Sequence, residues 1–286
     1  MITMSTPTVA ELPRIIDAVE SWQRDGLPVQ VHPGDLGWYQ RFGATGLAAA
    51  LRIWCRDDEI VAVGFLDESE LIRMAIAPSA ADDDQVASRI VDDFTGELGD
   101  VLPAGRGIVE ARYGPALRHM LKDRGWALVD PWTPLVRDLR QPVEPTALRV
   151  EQVGPDQAEE RVRIHAAAFP GSSFTVDRWR EMAAGHAYRQ ARCLIGYDRH
   201  GVGVATTTVW SAGEGRPGLI EPLGVHREHR GQRHGAAITL GAAAALQEMG
   251  CSSALVATPA FNTAAVATYR AAGFHSSADV RDFRRP

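Results

Sequence analysis

A pattern of elements and short strings occurs twice along the chain, and this repeat constrains the fold more than any other feature. Residues 136–140 read VRDLR and residues 280–284 read VRDFR, and each string follows a predicted helix that ends in a glycine and a large aromatic residue. Further upstream, residues 71–94 align with residues 219–246, because each segment reads as an apolar strand, a polar turn and a helix. Three matches in the same order predict a duplicated domain.

The boundary between the two copies is expected in residues 141–150, where two prolines and a glutamate are typical of a linker. The predicted domains are therefore residues 1–145 and residues 146–286. Strands and helices follow one another in the second domain, which predicts the α/β class, with a mixed sheet and helices on both faces. The strands are expected at 148–153, 192–198, 202–211 and 218–225, and the first two helices at 155–169 and 176–184.

The composition is that of an ordinary globular protein, with 286 residues of which 45% are hydrophobic and 23% charged. The formal net charge of -6 argues against a nucleic-acid partner, so any anion site must be local. The three cysteines lie far apart and form neither a CxxC pair nor a disulfide framework. Because the N-terminus has no apolar signal core and no run approaches the length of a membrane span, we expect a cytoplasmic protein without a membrane partner.

One segment of the second half has the pattern of an anion site. Residues 225–238 read VHREHRGQRHGAAI, which is an apolar strand end, a basic turn with small residues and the start of an alanine-rich helix. Such a turn directs several backbone N–H groups and the positive end of the helix dipole at one spot. Arg227, Arg230 and Arg233 add positive charge there, and the small residues let an anion approach the main chain. These features predict a site for a pyrophosphate.

A second segment, residues 262–274 (NTAAVATYRAAGF), reads as a helix with an asparagine before it and Gly-Phe at its end. Together the two segments resemble the GNAT superfamily of acetyl-CoA-dependent N-acetyltransferases. The first matches the R/Q-x-x-G-x-G/A coenzyme loop of that family, and the second matches its N-x-x-A-x-x-x-Y-x-x-x-G-F segment. The resemblance implies two tandem GNAT-like domains, each with a mixed, mostly antiparallel sheet, and acetyl-CoA as the co-substrate. It assigns coenzyme binding to Leu223, Gly224, Val225, Arg230, Gly231, Gln232, Arg233, His234, Gly235, Ala236, Asn262 and Tyr269.

The first half lacks the features that would bind the coenzyme. Asp82, Asp83 and Asp84 stand where the second half has its basic, glycine-bearing loop. Like charges about 5 Å apart repel by roughly 1–3 kcal/mol per pair near a protein surface, so three carboxylates would exclude a diphosphate. Leu121 and Gly114 stand where the second half has the tyrosine and the asparagine. We therefore predict a degenerate domain at residues 1–145, in which the aspartates cap a helix, and a catalytic domain at residues 146–286.

The strand GLIEPLGV (218–225) should contain a break at Pro222, because proline has no N–H for the sheet ladder. The first-half counterpart LIRMAI lacks the extra residue, which indicates a bulge in the second half alone. A break frees main-chain groups of Leu223 to Val225 for another partner. In GNAT enzymes that partner is the pantetheine, and the resemblance makes the Leu223 N–H the donor to the acetyl oxygen. The alternative is that Pro222 only ends an edge strand.

The coenzyme loop departs from the family pattern at one position, since Arg233 replaces the first glycine. If that position requires a positive φ, a residue other than glycine costs roughly 1–2 kcal/mol. A contact between the guanidinium and a phosphate could return this cost. The expectation is that binding persists, with weaker affinity or a slightly altered loop.

Two residues are candidates for proton transfer. Tyr269 occupies the position of the family's general acid, and a phenol with a pKa near ~10 is protonated at pH 7 and can donate to a thiolate. Asn262 is expected to hold the coenzyme arm, to cap the helix, or both. Glu221, just before the break, is the candidate base by resemblance, and its alternative role is to pair with an arginine or to orient a cationic substrate. The alternative role of Tyr269, in place of general acid, is to pack in the core.

The acceptor amine should bind at residues 165–190. His165, Phe169, Phe174, Trp179 and Tyr188 give that stretch an aromatic character, which suits a small apolar or aromatic amine or simply a packed core.

The three histidines between residues 226 and 234 lack a fourth ligand, so no metal is expected. The predicted function is acetylation of a primary amine of a small molecule by direct attack in a ternary complex. The alternatives are a non-catalytic acyl-CoA sensor or scaffold, and acetylation of a cysteinyl amine, because the tandem layout is similar to that of mycothiol synthases. Either a monomer or a homodimer is compatible with the sequence.

Overall fold

A computed structural model of the chain describes residues 1–286 and divides them into two compact units. Unit 1 contains Met1–His32, Ala44–Trp132 and Asp279–Pro286, and unit 2 contains Pro33–Gly43 and Thr133–Ala278. The division differs from the boundary predicted at residues 145 and 146, because each unit includes a segment from the other half of the sequence.

The elements follow the chain in this order. The strands are β1 (Ile2–Ser5), β2 (Leu51–Arg56), β3 (Glu59–Glu68), β4 (Leu71–Ile76), β5 (Ile108–Glu110), β6 (Ala127–Asp138), β7 (Arg149–Gln152), β8 (Ala191–Tyr197), β9 (Gly203–Trp210), β10 (Gly218–Val225), β11 (Ser253–Pro259), β12 (His275–Ser276) and β13 (Val280–Arg284). The helices are α1 (Leu12–Trp22), α2 (Pro33–Tyr39), α3 (Ala44–Ala50), α4 (Asp84–Thr95), α5 (Pro115–Asp123), α6 (Ala158–Ala168), α7 (Val176–Ala183), α8 (His234–Glu248) and α9 (Thr263–Ala271). No helix combines the length and the apolar character that crossing a membrane requires.

In unit 1, strands β1 to β4 are antiparallel neighbours, β4 pairs with β5 in parallel, and β13 pairs antiparallel with both β5 and the first part of β6. Helix α4 begins at Asp83, whose carboxylate accepts the N–H groups of Gln85 and Val86. The same carboxylate forms an ion pair with Arg56 at 2.6 Å. The capping role predicted for the aspartate cluster is therefore confirmed for Asp83.

The last strand of each repeat lies in the unit that the other repeat builds. The VRDFR string forms β13 in unit 1, where Arg112 makes two hydrogen bonds of 3.1 Å to the buried carboxylate of Asp282. The VRDLR string lies at the end of β6, which is a neighbour of β11 in unit 2. The sequence repeat is thus real, but a single cut at residue 145 does not reproduce the units.

In unit 2 the strand order is β6-β11-β10-β9-β8-β7, in which β10 and β11 pair in parallel and β7 to β10 are antiparallel neighbours. Helix α8 packs one face of this sheet, where Leu246 shares a core with Val209 and Ile220. Helix α6 packs on β9 and β10, and Arg161 of α6 hydrogen-bonds to Thr208, which alternates with Val209 along β9. The mixed sheet with helices on both faces is therefore confirmed.

The segment Pro33–Gly43 contributes helix α2 to unit 2. A Cβ added to Gly34 or Gly37 would lie 2.5 Å or 2.3 Å from side-chain atoms of Trp210, so the helix backbone rests directly on the indole. Trp38 stacks at 5.6 Å from the ring of His165. The placement of Pro33–Gly43 was not predicted, because this segment precedes the predicted catalytic domain by more than a hundred residues.

Candidate active site

The break predicted in the strand 218–225 is present as a bulge in β10. Ile220 is opposite Val209 and Leu223 is opposite Thr207, so β10 has one residue more than β9 over this stretch. The side chains of β9 hold the displaced carbonyls. The Thr207 hydroxyl donates to the Pro222 carbonyl at 2.9 Å, and Trp210 Nε1 donates to the Glu221 carbonyl at 2.7 Å.

The bulge coincides with an opening between β10 and β11. Their parallel pairing covers only Gly218 and Leu219, and β10 continues to Val225 without a β11 partner. A Cβ on Gly224 would lie 2.7 Å from Ala168 and from the ring of Phe169, so the absence of a side chain lets the end of α6 close one wall of the opening.

The equivalent strand of unit 1, β4, likewise continues to Ile76 beyond the end of its pairing with β5, and it differs from β10 in lacking the bulge. Strands β4 and β5 pair at three successive positions, from Leu71 with Ile108 to Arg73 with Glu110. The register shift between β3 and β4 places the extra residue in β3, because Phe65 is opposite Arg73 and Glu68 is opposite Leu71. Of the two equivalent strands, β10 carries the bulge and β4 does not, as the sequence predicts.

The loop after β10 presents a row of free backbone donors. No acceptor within the protein takes the N–H groups of residues 231–236, and the first bonded one belongs to Ala237. Arg233 is the N-cap of α8 and has φ 64° and ψ 10°, which is the left-handed conformation, so the condition under which a residue other than glycine is costly at this position is met. Gly231 also has a positive φ of 78. Six successive free N–H groups at a helix N-terminus suit a diphosphate.

The arginines of this loop differ in their contacts. The guanidinium of Arg230 donates to the carbonyls of Ala168 at 2.8 Å and Val225 at 3.4 Å, so it ties the end of α6 to β10. Arg227 and Arg233 are exposed and make no hydrogen bond or ion pair. Because the two carbonyls are neutral, Arg230 keeps its positive charge, and all three arginines contribute positive charge around the loop.

Two of the loop histidines, His226 and His234, have a pKa below the ordinary value. Burial lowers the pKa of His234, and His229 lowers it further. Burial also lowers the pKa of His226, whose Nδ1 accepts the N–H of Glu228 at 3.3 Å. No group of three or more histidine, cysteine or carboxylate side chains is arranged to hold a metal ion.

The opening, the loop and helix α9 surround one cleft of about 1020 Å³. It brings together nearly all of the residues that the family resemblance assigns to the coenzyme. These are Leu223, Gly224, Val225, Arg230, Gly231, Arg233, His234, Gly235, Ala236, Asn262 and Tyr269. Gln232 instead lines a neighbouring pocket of about 500 Å³, and Glu221 lines neither of the two.

Helix α9 forms the far wall of the cleft. Asn262 caps it, since its Oδ1 accepts the N–H of Ala265 at 3.2 Å. A Cβ on Gly235 would lie 2.9 Å from Thr268, so α8 and α9 approach each other closely at this point. Several alanines of α9 line the cleft, and the alanine-rich sequence NTAAVATYRAA is the signal for them.

Tyr269 has the environment of a phenol that remains protonated. Burial and, to a smaller extent, the negative charge of Glu221 together raise the pKa of Tyr269 to about 12. The tyrosine hydroxyl has no hydrogen-bond partner within the protein, while its ring lies 6.0 Å from that of Phe274. The structure therefore brings Glu221 within electrostatic reach of Tyr269 and leaves the phenol proton available to a ligand in the cleft.

The aromatic residues predicted for the acceptor region form contacts of two kinds. Phe169 stacks on His165 at 4.7 Å, and Phe174 stacks on His165 at 5.0 Å. Tyr188 instead meets Trp210 edge-on at 6.0 Å, and Trp179 is buried. The residues that the sequence analysis missed are Thr207 and Trp210, which hold the bulge and which no local pattern distinguishes from ordinary sheet residues.

Residues 158–274 match the acetyltransferase (GNAT) family model, and this range lies within unit 2. Among solved structures, an acetyltransferase of the GNAT family from Colwellia psychrerythraea has a TM-score of 0.63 at 13% identity, with 100% of both chains covered. A tandem GNAT protein from the clavulanic acid biosynthesis pathway has a TM-score of 0.60 at 15% identity, covering 99% of this chain and 98% of that one. A GCN5-related N-acetyltransferase from Sphaerobacter thermophilus has a TM-score of 0.55 at 18% identity, covering 100% and 96%. At these identities the likeness is one of fold, and no curated protein matches the chain.

Proposed function

We propose that residues 158–274, which match the acetyltransferase (GNAT) family model, form a domain that moves an acetyl group from acetyl-CoA to a primary amine of a small molecule. The observation that carries the proposal is the convergence of three features on one cleft. These are the unpaired stretch of β10, the free N–H groups of residues 231–236 and the hydroxyl of Tyr269.

The cleft fits the chemical parts of the coenzyme. The free N–H groups and the cations of Arg230 and Arg233, which both line the cleft, suit the diphosphate. The unpaired edge of β10, from Leu223 to Val225, suits the amide groups of a pantetheine arm, which can add to a sheet edge as a strand does. Acetyl-CoA would supply an activated acetyl thioester at this place.

Each remaining step of an acyl transfer has a candidate residue. Glu221 accepts the proton of the attacking amine, directly or through water. The Leu223 N–H donates to the acetyl oxygen, where negative charge develops during the transfer. Tyr269 donates its phenol proton to the departing sulfur. Direct attack requires the amine and the acetyl group to be held together, so the reaction proceeds in a ternary complex.

A non-catalytic acyl-CoA sensor is the second candidate, and the left-handed Arg233 in the coenzyme loop is the observation that favours it. Release of free thiol during incubation with acetyl-CoA and a broad panel of primary amines separates the two. The panel includes a cysteinyl amine, because acetylation of such a group is the more specific form of the same reaction. Thiol release with at least one amine supports the enzyme, whereas coenzyme binding without any thiol release supports the sensor.

A further inference from the structure

Helix α6 carries a cation that the fold buries without an acid. Arg161 is 0% exposed, and of its three guanidinium nitrogens only Nη2 has a hydrogen bond, to the Thr208 hydroxyl at 3.4 Å. Its Nε and Nη1 are buried without a partner. A buried charge with unmade hydrogen bonds is strongly unfavourable, so its retention needs a reason.

The surroundings of Arg161 supply no negative charge. Burial is the main influence on the Arg161 pKa and lowers it, and the two groups that oppose this effect are Cys193 and Tyr188 rather than a carboxylate. Burial also raises the pKa of Tyr188, so this phenol stays neutral. Arginine nevertheless remains protonated in proteins at neutral pH. The guanidinium is therefore a cation that lacks its counter-ion.

Unsatisfied polar side-chain atoms are concentrated on helices α6 and α7. The chain has six buried side-chain nitrogen or oxygen atoms without a partner, and four of them belong to Arg161, His165 and Trp179 on α6 and α7. Burial, followed by the charges of Arg161 and Arg41, lowers the pKa of His165 to about 3, so its ring is neutral. A polar ligand could satisfy these atoms, and for the arginine that ligand must accept hydrogen bonds.

A line of aromatic rings connects Arg161 to the coenzyme cleft. Phe169 lines the cleft and stacks on His165, whose ring contacts that of Phe174. The ring of Phe174 lies 5.3 Å from the guanidinium carbon of Arg161. Phe174 lies in the short segment between α6 and α7, so the line of rings runs from the cleft to the guanidinium.

Two residues on one face of β9 connect Arg161 to the proposed base, Glu221. Thr208, the partner of Arg161, lies two residues from Trp210 on β9, and residues two apart share a face of a strand. Trp210 in turn donates to the backbone carbonyl of Glu221. An acceptor molecule that reached both places would have its amine near Glu221 and its other end at the guanidinium.

From this placement we propose that the acceptor is an amine that also carries a carboxylate, and that Arg161 binds this carboxylate inside unit 2. The inference rests on the proposed function, since it names the class of acceptor for the same reaction. Arginine matches a carboxylate in charge and in its two accepting oxygens, whereas a neutral carboxamide of the same shape lacks the charge and has one accepting oxygen.

The test uses amino carboxylates and their primary carboxamides, compared pair by pair, with the full-length protein and acetyl-CoA. The wild-type protein is expected to favour the carboxylate of a pair by roughly 100-fold or more in kcat/KM. Arg161→Gln should remove that preference by slowing the carboxylates far more than the carboxamides, with unchanged affinity for acetyl-CoA. Equal turnover of acids and amides by the wild-type protein would overturn the inference while leaving the proposed function intact.

Two further measurements keep the outcome decisive. If Arg161→Gln fails to fold, Arg161→Lys retains the charge and should lower, but not remove, the preference for carboxylates. If no amine is acetylated although acetyl-CoA binds, the proposed function fails, and the same pairs are titrated calorimetrically into the protein loaded with coenzyme A. Selective binding of the carboxylates would then support the role of Arg161, and binding without selectivity would contradict it.

Discussion

At the scale of single residues, the account depends first on the hydroxyl of Tyr269. Tyr269→Phe keeps the ring against Phe274 and removes only the donor proton, so kcat should fall by ~10²–10⁴-fold while the affinity for acetyl-CoA changes little. Because burial raises the pKa of Tyr269 to about 12, the acid form persists through neutral and moderately alkaline pH. We therefore expect no loss of kcat from this group below about pH 11. Steady-state kinetics and calorimetry check both statements, and an unchanged kcat with chemistry limiting would assign Tyr269 to packing.

For the proposed base, Glu221, we predict the opposite dependence of rate on pH, because a base acts in its deprotonated form. A base must be deprotonated to act, so wild-type kcat/KM should rise with pH through the pKa of Glu221. Glu221→Gln should lower kcat/KM and remove that limb, because the amide does not titrate. The pH–rate profile of the variant decides the matter, and an acidic limb that stays in place would show that another group takes the proton.

At the scale of elements, the wall formed by β10 and α6 depends on a missing side chain. Gly224→Ala would place a Cβ 2.7 Å from Ala168 and Phe169, so α6 must move away from β10. We expect this change to weaken acetyl-CoA binding by about 10-fold or more, since overpacking costs roughly 1–3 kcal/mol. Gly154→Ala is the matched control, because its Cβ would meet nothing within 4 Å. Equal affinities for the two variants would contradict a coenzyme site at this wall.

The elements of the site differ in how far the sequence could predict them. Pro222 and the basic loop are local signals, since proline breaks a ladder and small residues before a helix form an anion site, and both appear where predicted. The support of the bulge by Thr207 and Trp210 and the placement of α2 depend on contacts between distant parts of the chain. Local periodicity and turn chemistry carry no information about such contacts, so these features are visible only in the structure.

At the scale of the whole molecule, the exchange of segments predicts that the second half cannot stand alone. Residues 146–286 lack Pro33–Gly43, whose α2 covers Trp210, and lack the end of β6, which neighbours β11. We expect this fragment to be poorly soluble or strongly destabilised, because its removal from the chain exposes apolar surface. Thermal unfolding and activity, compared with the full chain, provide the measurement. A soluble fragment with full activity would show that these segments are dispensable.

The repeat illustrates how far a duplicated sequence predicts a duplicated architecture. The strings VRDLR and VRDFR locate the last strand of each copy, since residues 136–138 end β6 and Val280–Arg284 form β13. Sequence order suggests that each strand remains with its own copy, whereas β13 is fixed in unit 1 by the ion pair between Arg112 and Asp282. Nothing in the spacing of the repeat distinguishes these two arrangements, so the boundary at residue 145 had to be revised.

The central claim is that a single acetyl-CoA site exists, in the cleft of unit 2, and its most direct test is isothermal titration of the full-length protein with acetyl-CoA. We predict a stoichiometry near one, loss of binding heat in Gly235→Asp, whose added carboxylate at the N-terminus of α8 repels a diphosphate, and no change in Asp82→Lys. Asp82 is the matched control because it is exposed and, unlike Asp83, does not cap α4. Two sites per chain, or full binding heat in Gly235→Asp, would contradict the account.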